Sequence, residues 1–274
     1  MSRTTRLLPW LVAPLLAALP AAPAGADPWH DPLSRADAAS TVQAPTPTPS
    51  RSPYPGKDAS WDANEPQRRL AVYGDSLVMQ TRPLLEALAG TRATAVDVWE
   101  LPGAAPCDLL PAYGARVRAF AAERVELAFV GNATTECMTS RIGGRPPGNL
   151  SPALRTRIVQ VYEADLATLV RWNRAAGVRT YLALPPAMAP GTWHGQLTAP
   201  LTAALSRLAA RYPAEVRLNT APRDTLTPGG VYRSTMVLNG RQVQLRHRDG
   251  THLFAPVGTT LNAQALLWPL ALEP

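Results

Sequence analysis

The stretch Leu70–Met79, LAVYGDSLVM, runs four apolar residues into Gly74-Asp75-Ser76 and then turns apolar again. Val and Tyr in so short an apolar run read as a buried strand, and Gly-Asp-Ser supplies turn residues. The following segment, Leu77–Ala89, has helical period, so the stretch is a strand-to-helix junction. The same alternation recurs along the chain. Strand-like runs fall at Leu70–Tyr73, Ala95–Trp99, Val125–Val130, Val178–Leu184 and Val216–Leu218, with helical segments at Leu77–Ala89, Leu109–Ala122, Leu154–Ala176 and Ala199–Arg211 between them. Repeated βα units predict an α/β fold, a parallel sheet of about five strands with helices on both faces, because parallel neighbours need crossover connections. Beyond the fifth run, Val231–Leu238 and Arg241–Leu245 flank Asn239-Gly240, a hairpin turn dipeptide, and a last helix is expected over Thr259–Leu267. Working groups in an open parallel sheet sit at the carboxyl ends of its strands. Ser76, Gly103, Asn132 and the Pro185–Gly195 loop should therefore share one rim.

Ahead of Leu70 the texture differs. Arg3 and Arg6, an apolar run from Leu7 and the end Ala24-Gly25-Ala26 describe a secretory signal peptide over residues 1–26, cut before Asp27. An uncleaved membrane anchor is the rival, but the run is marginal for a span of ~20 residues and holds Pro9, Pro14, Pro20 and Pro23. Residues 27–66 lack apolar periodicity and carry a Pro-Thr alternation, the composition of an extended Pro-rich spacer. A single folded domain is then expected over 67–274, in a monomer that is secreted or held at the cell envelope. Its 46% hydrophobic residues allow a sizeable core.

The formal charge of +7 falls to +5 without Arg3 and Arg6, and Lys57 is the only lysine. The arginines are scattered, which excludes the basic stripe of a nucleic-acid binder and leaves room only for weak association with anionic envelope polymers. Cys107 and Cys137 are the two cysteines, and an exported chain with an even count pairs them as a disulfide. Two thiols make a poor metal site, no H-E-x-x-H occurs, and neither metal nor organic cofactor is expected.

A serine hydroxyl needs a base to become a nucleophile. Of the four histidines, His30 lies in the spacer, His194 in a loop that could meet a substrate, and His247 two residues before Asp249. His252 follows Asp249 by three positions in RDGTHLF, with Gly250 allowing a tight turn, so the carboxylate could orient the ring. A turn aspartate beside a half-buried histidine is the plainer alternative. Donors for an oxyanion are offered by the Gly103 amide in ELPGAAPCD and the Asn132 side chain in LAFVGNATTECM. Asp75 reads as a helix cap. Trp193 and His194, in PPAMAPGTWHG, could line a sugar or acyl site, or the Trp could pack on the domain. Val78 two positions after Ser76 excludes the G-x-S-x-G elbow of an α/β-hydrolase.

The ordered blocks YGDSL, LPGAAPCD, FVGNATTECM and RDGTHLFAPVG resemble the SGNH, or GDSL-type, hydrolase family over about Leu70–Leu267. The third block differs from the usual G-x-N-D form, with Gly131 directly before Asn132 and Ala133 in place of the acid. GNATTECM with APCD and RDGTH is similar to exported actinobacterial members and to SGNH domains of membrane acyltransferases. The resemblance implies a three-layer α/β/α sandwich of flavodoxin type, with the β-hairpin inserted before the Asp/His loop. It implies Ser76 as nucleophile, Asp249 and His252 as its partners, and an oxyanion hole from the Ser76 amide, Gly103 and Asn132. The expected activity is a secreted esterase acting on O-acyl esters, with acylated glycans favoured over lipid or small esters. An O-acyltransferase to a glycan hydroxyl and a silent glycan-binding domain are the alternatives.

Overall fold

A computed structural model describes residues 68–91 and 94–270, so the expected signal peptide and spacer lie outside the described residues. The chain enters at β1 (Arg68–Gly74) and continues through α1 (Ser76–Gly90), β2 (Thr94–Glu100), α2 (Pro106–Phe120) and β3 (Arg124–Ala128). It goes on through α3 (Glu136–Ile142), α4 (Pro152–Ala175), β4 (Arg179–Ala183), α5 (Trp193–Arg211), β5 (Val216–Asn219) and α6 (Ala221–Leu226). The hairpin β6 (Thr235–Leu238) and β7 (Arg241–Gln244) and then α7 (Val257–Leu266) follow.

The first five strands form one sheet in the order β2-β1-β3-β4-β5, and every pairing is parallel. The expected α/β sandwich is thus present, with the flavodoxin-type order and a separate two-stranded hairpin. β1 is apolar and buried from Leu70 onward because successive side chains point to opposite faces and both faces of the sheet are covered. Ala71 and Tyr73 join the core under α2, α4 and α5, while Leu70 and Val72 join the core under α1 and α7. The order reverses between β1 and β3, and in such sheets the crevice opens at that switch point.

Several boundaries differ from expectation, each for a local reason. β3 ends at Ala128 rather than Val130, because the Val130 N–H leaves the ladder to donate to Asp75 Oδ2 at 2.7 Å. The helix expected from Ala199 begins at Trp193: Thr192 Oγ1 accepts the Gly195 N–H at 3.0 Å and caps it six residues earlier. Trp193 and His194 are therefore first-turn helical residues, not loop residues. The hairpin starts at Thr235, and Val231–Ser234 stay outside it, although the Ser234 carbonyl still accepts from Leu245 and Arg246. Asn239 and Gly240 both take positive φ, 51° and 75°, as a two-residue hairpin turn requires.

One buried polar group sits beneath α7. Glu126 on β3 is fully buried, its Oε1 accepting from Asn219 Nδ2 at 2.9 Å, while Asn219 Nδ2 also donates to the Ala265 carbonyl. Glu126 Oε2 and the hydroxyl of its β4 neighbour Tyr181 have no hydrogen-bond partner among the described residues. Burial holds the Glu126 carboxyl well above its ordinary range. No helix among the described residues is long and apolar enough to cross a membrane.

Candidate functional site

Ser76 is the first residue of α1, delivered to the rim by the carboxyl end of β1. Its Oγ lies 3.0 Å from His252 Nε2, and His252 Nδ1 lies 2.6 Å from Asp249 Oδ2. Asp249 Oδ1 also accepts the backbone N–H groups of Thr251 and His252, at 2.8 and 2.9 Å. Partial burial pushes the Asp249 carboxyl up, but the bonds from His252 and Thr251 outweigh it and hold the group below the usual carboxylate range. It is a fixed anion beside the imidazole at neutral pH.

The turn holding these residues is braced from several sides. Arg246 and Leu253 form a β-bridge at its neck, and the His247 N–H donates to the His252 carbonyl at 2.8 Å. Gly250 has φ +72°, and a Cβ there would meet Ala189 Cβ at 2.2 Å, so the turn needs glycine for conformation and for close approach. The Ala189 N–H donates to the Gly250 carbonyl at 3.0 Å. Arg246 is fully buried, and its Nη1 donates to the Thr251 carbonyl at 2.8 Å. Burial lowers its guanidinium to about 10. Gln80 lies four residues past Ser76, hence on the same side of α1. Its amide clamps the Leu253 backbone, accepting the N–H at 3.0 Å and donating to the carbonyl at 3.4 Å. Neither Gln80 nor Arg246 was singled out by the sequence. A polar residue one helical turn beyond Ser76 was a signal available for Gln80.

Asp75 caps α1 through Oδ1, which accepts the Leu77 N–H at 3.1 Å, and its Oδ2 takes the Val130 N–H. Burial raises its carboxyl to about 6 against the opposing pull of those two bonds. The Leu101 N–H donates to the Gly74 carbonyl at 3.2 Å. The loops bearing Gly103 and Asn132 are thus each pinned to the residues just before Ser76. Gly103 has φ +70°, and a Cβ there would stand 2.7 Å from Asn132 Nδ2, so the two expected donors lie together. Asn132 Oδ1 accepts from the Thr134 N–H and Oγ1, which leaves Nδ2 as the outward donor, and Tyr162 OH donates to the Asn132 carbonyl at 2.6 Å. The Ser76 and Gly103 N–H groups and Asn132 Nδ2 have no hydrogen-bond partner among the described residues. Cys107 in α2 and Cys137 in α3 form a disulfide with Cα atoms 6.1 Å apart, which joins the elements that follow these two loops.

Trp193 and His194 stack on each other, centroids 3.7 Å apart, at the start of α5. Trp193 also packs against the main core, while His194 Nδ1 lies 3.4 Å from Thr251 Oγ1 beside the Asp/His turn. Among the described residues the ligand-type cluster is Cys107, Asp108 and Cys137, whose sulfurs are already bonded to each other. His247, Asp249 and His252 do not converge on a common point, and Asp249 and His252 are spent on each other.

No protein-family model and no curated protein matches the sequence. Solved structures match across most of it. The lipase/acylhydrolase from Enterococcus faecalis superposes with TM-score 0.52 at 16% identity, covering 74% of this chain and 95% of that one. A proposed SGNH hydrolase from Slackia heliotrinireducens gives 0.50 at 18%, covering 75% and 100%, and the acetyl xylan esterase AlAXEase gives 0.50 at 13%, covering 74% and 98%. The architecture is that of SGNH/GDSL-like lipases and esterases, as the motif resemblance implies.

Proposed function

We propose that the domain is an exported serine ester hydrolase with Ser76 as nucleophile. The observation that carries this reading is the unbroken chain from Ser76 Oγ to His252 Nε2 at 3.0 Å and from His252 Nδ1 to Asp249 Oδ2 at 2.6 Å. Ser76 Oγ attacks the ester carbonyl carbon and its proton passes to His252 Nε2. Asp249 holds the ring's orientation and balances the imidazolium. The carbonyl oxygen becomes an oxyanion, received by the Ser76 and Gly103 amides and Asn132 Nδ2. The C–O bond to the alcohol breaks, and the alcohol oxygen takes the proton from Nε2. Water then attacks the acyl-Ser76 ester, giving a proton to His252 Nε2. Collapse releases the carboxylic acid, and that proton returns to Ser76 Oγ.

Export is supported by the arginine-led apolar N-terminus and by the disulfide, which persists in oxidising compartments. An exported esterase meets acylated envelope glycans, the substrate class favoured here. The test is labelling of the purified protein with a serine-directed fluorophosphonate, alongside hydrolysis of an aryl acetate. Ser76→Ala should abolish labelling and cut turnover by about 10⁴-fold or more, with His252→Ala comparably damaging. Undiminished labelling of the Ser76→Ala protein would overturn the assignment.

A further inference from the structure

The proposed chemistry gives the rim two sides. The acyl oxygen belongs with the loops after β2 and β3, where Gly103 and Asn132 lie together. The alcohol departs the other way, because the proton it needs comes from His252 Nε2. Whatever flanks His252 is therefore the first protein surface the alcohol meets. That surface includes the first turn of α5, which lies beside the Asp/His turn and carries His194.

His194 is held there firmly. Thr192 caps the helix, and its Oγ1–H donates to the Ala189 carbonyl at 2.7 Å. A Cβ at Gly195 would stand 2.2 Å from that same carbonyl oxygen, so the turn is pressed against the Met188 and Ala189 backbone. Ala189 in turn binds Gly250. The imidazole stacks on Trp193, and its Nδ1 faces Thr251 Oγ1. Burial, then the neighbouring His252 charge, lower His194 to about 4 against the opposing Asp249 charge, so the ring is neutral at neutral pH. With Nδ1 engaged by the Thr251 hydroxyl, a neutral imidazole offers Nε2 as donor or as acceptor according to the tautomer, and a sugar hydroxyl can meet either. Nε2 has no partner among the described residues.

We infer that His194 sets specificity for the alcohol half of the ester, its Nε2 forming a hydrogen bond with a hydroxyl near the ester oxygen, as on a partly acylated sugar. The inference rests on the Ser76 acyl-enzyme reading. It predicts discrimination in favour of polyhydroxylated alcohols over alcohols with no second hydroxyl, at fixed acyl group.

The test compares a mono-O-acetylated methyl glucoside with phenyl acetate. Both leave the same acetyl group on Ser76, so deacylation cannot separate them. The quantity read is the ratio of kcat/KM for the glucoside to that for phenyl acetate. In His194→Ala this ratio should fall about tenfold, the loss of one neutral hydrogen bond, mainly through a higher KM for the glucoside. His194→Gln, which keeps an amide able to donate and accept, should recover part of it. A ratio unchanged from wild type overturns the inference, whether both activities fall together or neither falls. Equal losses would mean that His194 only steadies the Asp/His turn. A wild-type protein that hydrolyses neither ester and is not labelled at Ser76 overturns the esterase reading itself, and this inference with it.

Discussion

Breaking the Cys107–Cys137 bond should lower the melting temperature by a calculable amount. The bond closes a loop with a sequence separation of 30. The chain-entropy relation then gives about 12 cal/mol/K, or about 3.6 kcal/mol at 25 °C. In a domain of roughly 200 residues each kcal/mol moves the midpoint by about 2–4 °C, so the expected fall is about 7–14 °C. Cys107 is buried and Cys137 half-buried, and alanine at both positions removes little volume. Loop entropy should therefore dominate. The assay is calorimetric melting of the wild type with and without reductant, beside Cys107→Ala, Cys137→Ala and the double variant. Either single change breaks the same bond, so all three variants should agree with the reduced wild type within about 0.5 kcal/mol. Thiol titration of denatured, unreduced wild type should find no free thiol. Two free thiols in that titration would refute the bond, and a shift under about 2 °C on full reduction would refute the entropy argument.

Gly103→Ala would place a methyl group 2.7 Å from Asn132 Nδ2 on a residue with φ +70°. Turnover should fall about 10²-fold or more through displacement of a proposed oxyanion donor, measured as kcat on an aryl acetate with the fold checked by circular dichroism. Gln80→Leu removes both bonds to the Leu253 backbone; kcat should fall about tenfold with KM little changed, and Gln80→Glu should not restore it, since a carboxylate cannot donate to the Leu253 carbonyl. Glu126 has a folded-state pKa raised above its unfolded value. Its contribution is therefore fully present below the unfolded value, about 4.3, and is lost as pH rises through the folded one. Urea unfolding across pH 5–9 should show Glu126→Gln losing less stability with rising pH than the wild type, and parallel curves would remove this account.

Much of the fold was legible from Leu70 onward because a sheet covered on both faces has continuous apolar strands, separated by helices long enough to show their period. α3 and α6, of 7 and 6 residues, were not legible, since neither completes enough turns to reveal a stripe. The start of α5 was hidden by Pro200, which sits where a first-turn proline belongs, while the true cap is Thr192. Thr before an aromatic residue was the available signal. At the site, Ser76, Asp249 and His252 stood out because the proposed chemistry needs particular residue types. The contacts that hold them did not: Gln80 on Leu253 and Tyr162 on Asn132 each join a common residue type to a backbone atom 173 and 30 residues away in the chain. No local pattern encodes such a meeting.

The Ser76–His252 contact spans 176 residues. Synthesis runs from the N-terminus, and a serine without its base is a weak nucleophile. On the proposed reading, Ser76 leaves the ribosome early and stays chemically quiet until the turn before α7 has docked on α1. A chain cut short anywhere between Ser76 and His252 keeps the hydroxyl but lacks its partner. Hydrolytic competence would then report completion of the domain through the turn before α7, and an unfinished chain would carry no loose activity.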